Sequence, residues 1–232
     1  MDELITRVLR TVACYTRLRI LSRLTGCKEM TLTQLARALR LRRDLVCIHL
    51  ARLAAVGLVQ RRRSGVRCYC IAGSSYSQRA LSGRIASWLR EALGATAQAG
   101  SESRLAGRGT GRDSGASREA HRVIFEAATA FTNPRRIRVL RRLAGNQPVE
   151  ATALARELRM SGAAFSRHVA KLTRRGYVSS SRHGRRVVYR RTAHAKTPIH
   201  AGLLEIVSDC WEPADEQPWA VPQGSSDRAP RP

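Results

Sequence analysis

The stretch FSRHVAKLTRRGYVSSSRHGRRVVYR, residues 165–190, decides how this chain reads. Phe165, Val169 and Leu172 recur at the i, i+4, i+7 spacing that gives a helix one buried face. Gly176 stops that helix. Tyr177–Ser181 and Arg185–Tyr189 then read as two short strands joined at His183-Gly184, with Arg182, Arg185 and Arg186 around the tip.

The same layout lies upstream. Laid against itself at an offset of 119, the run Arg17 to Arg67 matches Arg136 to Arg186 without a gap, and 20 of the 51 positions are identical. The identities fall at structural points, among them Leu35/Leu154, His49/His168, Gly57/Gly176 and Gly65/Gly184. An ungapped repeat of this length implies two copies of one domain. A helix, a glycine stop and an arginine-tipped hairpin form the layout of a winged helix-turn-helix, in which the helix enters the DNA major groove and the tip reaches backbone or minor groove. The expected fold is therefore mainly α with small β-hairpin wings (α+β), in tandem winged helix-turn-helix domains.

Charge points the same way. The chain of 232 residues has Lys+Arg 42 against Asp+Glu 17, a formal net charge of +25. Residues 1–94 contribute +13 and residues 118–212 contribute +12, while the segment between them and the tail are close to neutral. Both expected domains are thus basic, and a polyanion is the favoured partner because each neutralised phosphate releases counterions. Acids at Asp2 and Glu3 and basic residues breaking every apolar run exclude a signal peptide or a spanning helix at the N-terminus, so the expected setting is cytoplasmic, nucleoid-associated and without membrane contact. Cys14, Cys27, Cys47, Cys68, Cys70 and Cys210 are then reduced thiols.

Taken in order, residues 2–14 and 15–25 read as helices, and Thr31–Leu39 as a helix with Thr31 at its N-cap. Arg42–Val56 is the first recognition helix, followed by strands over Leu58–Arg63 and Val66–Ile71 and a helix over Ser77–Leu93. Residues 95–117, rich in Gly, Ala and Ser, form an expected flexible linker. In the second copy helices are expected near Glu119–Phe131, from Asn133 or Thr132 to Ala144, over Glu150–Leu158 and over Pro198–Trp211. Residues 213–232 are Pro-rich and polar, an expected disordered tail.

The runs NPRRIRVLRRLAG, TALARELRMS, FSRHVAKLTRRGYV and RHGRRVVYR together resemble the ArsR-type winged-helix repressors, bacterial metal- or redox-responsive transcription factors. The resemblance covers roughly residues 120–192 well and 4–72 less well. It implies symmetric dimers that release DNA when an inducer binds, with the terminal helix packing on the first helix at the dimer interface. The family's Cys-x-Cys site in the first helix of the helix-turn-helix falls here on Thr31 and Thr33, and on Glu150 and Thr152, so that metal site is absent.

Base reading belongs to the exposed start of each recognition helix. In the second copy this face presents Ser161, Ala164, Ser166 and Arg167, with His168 and Lys171 behind and Arg182, Arg185 and Arg186 on the wing. In the first copy Arg42 and Arg43 stand beside Asp44, Leu45, Cys47 and Ile48, a poor base reader in which Arg43 could serve and Leu45 or Ile48 could touch thymine methyls. The second copy is therefore expected to carry more of the sequence specificity, and the first to bind mostly phosphate through Arg52, Arg61, Arg62, Arg63 and Arg67. Oxidation of Cys47 on that face would weaken binding. The remaining thiol candidates for a soft ion or a redox pair are Cys68-x-Cys70 on one strand face, and Cys14 with Cys210 if the copies pair terminal helix to first helix.

The expectation is a sequence-specific regulator of transcription on double-stranded DNA, a repressor, with no cofactor. The two copies act either as an intramolecular pseudo-dimer or, with two chains, as a homodimer. Non-specific coating of DNA or RNA is the competing class. An enzyme is not expected, since no His-Glu-x-x-His, Gly-x-Ser-x-Gly or Walker loop occurs.

Overall fold

Apolar spacing and capping residues set the elements. The computed structural model describes residues 1–65, 67–74, 76–102, 115–145 and 147–211, with backbone alone over 95–102. Helix α1 (Asp2–Val12) turns Ile5, Val8, Leu9 and Val12 onto one fully buried face, with Asp2 and Glu3 in the first turn where the helix dipole favours acids. Helix α2 (Tyr15–Thr25) follows at a corner held by Arg17, whose guanidinium donates to the carbonyls of Arg10 and Thr11. Strand β1 (Met30–Thr31) leads into α3 (Leu32–Leu39). A capping box closes that helix: Gln34 N–H donates to Thr31 Oγ1 (3.3 Å), and Thr31 N–H donates to Gln34 Oε1 (2.8 Å).

The chain turns at Arg40 (φ 53°) into α4 (Arg43–Ala55), which buries Val46, Leu50 and Leu53. Gly57 (φ 71°) takes the left-handed conformation that ends the helix. The hairpin β2 (Val59–Ser64) and β3 (Arg67–Ala72) follows, then α5 (Leu81–Glu102).

The order then recurs as α6 (Gly115–Thr129), α7 (Pro134–Arg142), β4 (Val149–Glu150), α8 (Ala151–Glu157), α9 (Gly162–Arg174), β5 (Val178–His183), β6 (Arg186–Arg191) and α10 (Pro198–Asp209). Every element from α2 to β3 starts at the residue that the offset of 119 assigns to its counterpart from α7 to β6. Backbone torsions follow: Arg159 has φ 51° against 53° at Arg40, Gly176 78° against 71° at Gly57, and Gly184 60° against 58° at Gly65. So do buried side chains. Arg136 donates to the carbonyls of Ala130 (2.7 Å) and Thr129 (2.9 Å), the counterparts of the two that Arg17 uses.

Each copy holds a three-stranded antiparallel sheet, ordered β1-β3-β2 and β4-β6-β5. The short first strands pair Met30 with Cys70 and Val149 with Tyr189. Sequence pattern places Thr31 and Glu150 at helix starts and does not reveal these strands, because two residues are too few to show an alternating pattern. Helix α5 also continues eight residues past the domain boundary expected at 94, and α6 begins at Gly115. Residues 103–114 of the expected linker and the expected tail at 213–232 lie outside the described residues.

The copies do not stand apart, since their buried apolar residues form one continuous cluster. Helices α5, α6 and α10 pack on one another, α1 packs on α6 and α7, and α2 packs on α6. Tyr15 of α2 stacks on Phe125 of α6 with ring centroids 4.5 Å apart. Trp88 of α5 donates from Nε1 to the Ile199 carbonyl of α10 (3.0 Å), Arg84 pairs with Asp209, and Arg141 pairs with Asp2.

Candidate nucleic-acid interface

The second copy builds its outward face in steps. Ser161 caps α9 by accepting from the Ala164 N–H (3.4 Å), which fixes where the helix begins. Phe165, Val169 and Leu172 then anchor it inward, and this leaves Ser161, Ser166 and Arg167 exposed. Ala164 does not join them. At 8% exposure it faces the core one position before Phe165, which corrects its expected place on the reading face.

Behind this face the cations crowd. His168 is half-buried, and its pKa is lowered first by burial and then by Arg136, Arg135 and Arg167, so the imidazole is neutral at pH 7. Lys171 is lowered first by burial and then by Arg175, Arg136 and Arg174. Like charges held this close repel one another in the free protein, and an anion bound among them relieves the repulsion. The wing adds Arg182, Arg185 and Arg186, all exposed around the Gly184 turn.

One further cation that the motif alone does not single out stands by the face. Arg135, exposed in the first turn of α7, stands close enough to depress His168. Arg40 and Arg159 occupy the left-handed turns between the paired helices, both exposed.

In the first copy Arg42, Arg43, Asp44, Leu45, Ile48 and Arg52 are exposed on α4, and Cys47 and His49 are half-buried. Arg42, at the N-cap, makes no side-chain capping bond and instead pairs with Asp44 at 2.7 Å. His49, like His168, is lowered first by burial and then by neighbouring arginines, here Arg17 and Arg52. On the wing Arg61, Arg62, Arg63 and Arg67 are exposed. Arg62 has a partner already, pairing with Glu29 (3.1 Å) and lying over the Tyr69 ring, and the neighbouring Cys68 thiol raises the pKa of Arg61. Arg63 and Arg67, nearest the tip, are the better placed for phosphate.

Among the described residues no group of three or more His, Cys, Asp or Glu could hold a metal ion. All six cysteines are free. Cys70 is fully buried, and burial, followed by Cys68, pushes its pKa up to about 11, so it packs as a small apolar residue. Cys14 and Cys210 are half-buried, and Cys210 donates to the Ile206 carbonyl of its own helix (3.2 Å). Among the described residues no helix is long and apolar enough to cross a membrane.

Comparison with known proteins adds one finding. Residues 132–186, from the residue before the cap of α7 to the start of β6, match the MarR family. The matched segment is thus similar to the winged-helix domains of DNA-binding transcriptional regulators, proteins that are not enzymes and that usually act as dimers. The match is to the MarR family and does not extend to the ArsR type named from the sequence or to the first copy. No curated protein matches the chain.

Proposed function

We propose that the chain is a sequence-specific double-stranded DNA-binding repressor whose two winged-helix copies form an intramolecular pseudo-dimer. The observation that carries this reading is the way the copies join. Under a twofold exchange of copies, α1 against α6 and α5 against α10 are contacts of equivalent helices, and α2 against α6 exchanges with α1 against α7. These contacts are of the isologous kind, in which each surface meets its own counterpart, although α5 also packs on α6 more extensively than α10 does on α1. One chain then presents two recognition helices and two wings, the equipment that a symmetric dimer brings to half-sites one helical turn apart.

The participation of the first and terminal helices in this interface supports the ArsR-type arrangement over a mere chain of independent domains. Repression follows from occupancy: a protein bound across two half-sites within a promoter blocks access to the same duplex. The reading residues are Ser166 and Arg167 on α9 with Arg43 on α4, and the phosphate contacts are Arg52, Arg63, Arg67, Lys171, Arg182, Arg185 and Arg186.

The test is a titration of the full chain against the DNA upstream of its own gene, with random-sequence competitor and increasing salt. A discrete complex that survives competitor, one chain per site, is the expected result. Binding that any DNA or RNA removes equally would replace this reading with general nucleic-acid coating.

A further inference from the structure

The two recognition helices differ most where they should agree. Ile48 occupies on α4 the position that Arg167 occupies on α9, and Leu45 that of Ala164. Arg167 and Ser166 are exposed hydrogen-bonding groups, whereas Ile48 is 51% exposed and Leu45 39%. Among the described residues only Met1, Tyr15 and Tyr76 are other exposed large apolar side chains, and Tyr15 stacks on Phe125. Leu45 and Ile48 are one helical turn apart, so they form a single apolar ridge.

We propose that this ridge reads thymine methyl groups in the major groove, so that the DNA site is asymmetric: a guanine-containing half under α9 and a thymine-containing half under α4. The proposal rests on the DNA-binding reading above. Of the groups a base pair shows in the major groove, the thymine methyl is the one that an aliphatic side chain contacts favourably. DNA is the occupant because exposed Arg43 and Arg52 lie on the same helix and Arg63 and Arg67 on the adjoining wing, a basic frame that would repel a basic partner and suits phosphates on both sides of the ridge. Asp44, the one acid there, is already paired with Arg42. A symmetric homodimer cannot carry two different readers, whereas one chain with two copies can.

The experiment selects sites for the full chain from a random duplex pool, then replaces dT by dU separately in each half of the best site. Loss of guanine discrimination in Arg167→Ala identifies the half under α9. Each methyl removed from the other half is expected to weaken binding about fourfold, the transfer cost of one buried methylene-sized group, and removal under α9 to change it less than about twofold. Leu45→Ala with Ile48→Ala should bind the dT and dU duplexes alike, and Ile48→Arg should shift that half from thymine to guanine. Both ridge residues are exposed, so a thermal melt unchanged from the parent shows the variants folded. A palindromic selected site, or a dU penalty equal in parent and variant, overturns the proposal while leaving the DNA-binding reading intact. A pool that yields no enriched sequence overturns both, and capture of a protein by the ridge without any dU effect overturns the proposal alone.

Discussion

Arg167 is the residue on which specific recognition should depend most. It is exposed at the first turns of α9, on a helix fixed by the Ser161 cap, and a guanidinium there can bond guanine in two places at once. Arg167→Ala should weaken binding to the selected site by about 10- to 100-fold and to scrambled DNA much less, read by fluorescence anisotropy on the two duplexes. A second single-residue prediction concerns pH. His200 is 1% exposed, bonded through Nδ1 to Thr197 Oγ1 (2.8 Å) and set against the Tyr177 ring, and burial, followed by Lys196, lowers its pKa to about 4. The unfolded chain, with histidine near pH 6.5, takes up the proton first as pH falls. Stability that is full above about pH 6.5 should therefore decline towards pH 4, by up to about 1.4 kcal/mol per pH unit from this group. His200→Gln should flatten that slope in urea titrations run across the window.

At the scale of elements, caps and glycines are legible in the sequence and packing partners are not. Thr31 and Asn133 announce helix starts, and Gly57 and Gly176 announce helix ends, because these residue types satisfy terminal backbone groups or adopt positive φ. The inward position of Ala164 is not legible, since alanine carries no polarity to tell the edge of a buried face from the start of an exposed one. Glycine roles inside α5 are equally hidden. A Cβ on Gly83 would stand 2.2 Å from the Ser77 carbonyl oxygen, whereas one on Gly94 meets nothing within 4 Å. Gly83→Ala should thus cost about 1–3 kcal/mol by overpacking, and Gly94→Ala should add about 0.5–1 kcal/mol through helix propensity, both read from thermal melts. The wings make a prediction of their own. Replacing Arg182, Arg185 and Arg186 together with Ala should lower the slope of log affinity against log salt by about 0.9 for each phosphate that is no longer neutralised.

For the whole molecule, the offset of 119 is legible from residue identities and the order of elements recurs along it, but the shared core is not legible. Apolar stripes on α1, α5, α6 and α10 say only that something covers them, and each could close on its own copy. The fold joins them instead into one cluster, bound further by Trp88 to Ile199 and by Tyr15 on Phe125. A protease site inserted within 103–114 gives a direct check. After cleavage the two halves should still co-elute as one particle and bind the selected site with little loss; separation on a sizing column would show that the copies rely on the chain between them.

On the proposed pseudo-dimer reading, the fusion of two readers around one core would also fix how the protein responds to its own abundance. A dimeric regulator must first find its partner, so when chains are scarce most of them are monomers and occupancy climbs with the square of their number. In the proposed pseudo-dimer the partner half would travel with every chain at an effective concentration that dilution does not lower. Occupancy of a site should therefore rise in simple proportion to expression, without a threshold, and a handful of molecules per cell would already be competent.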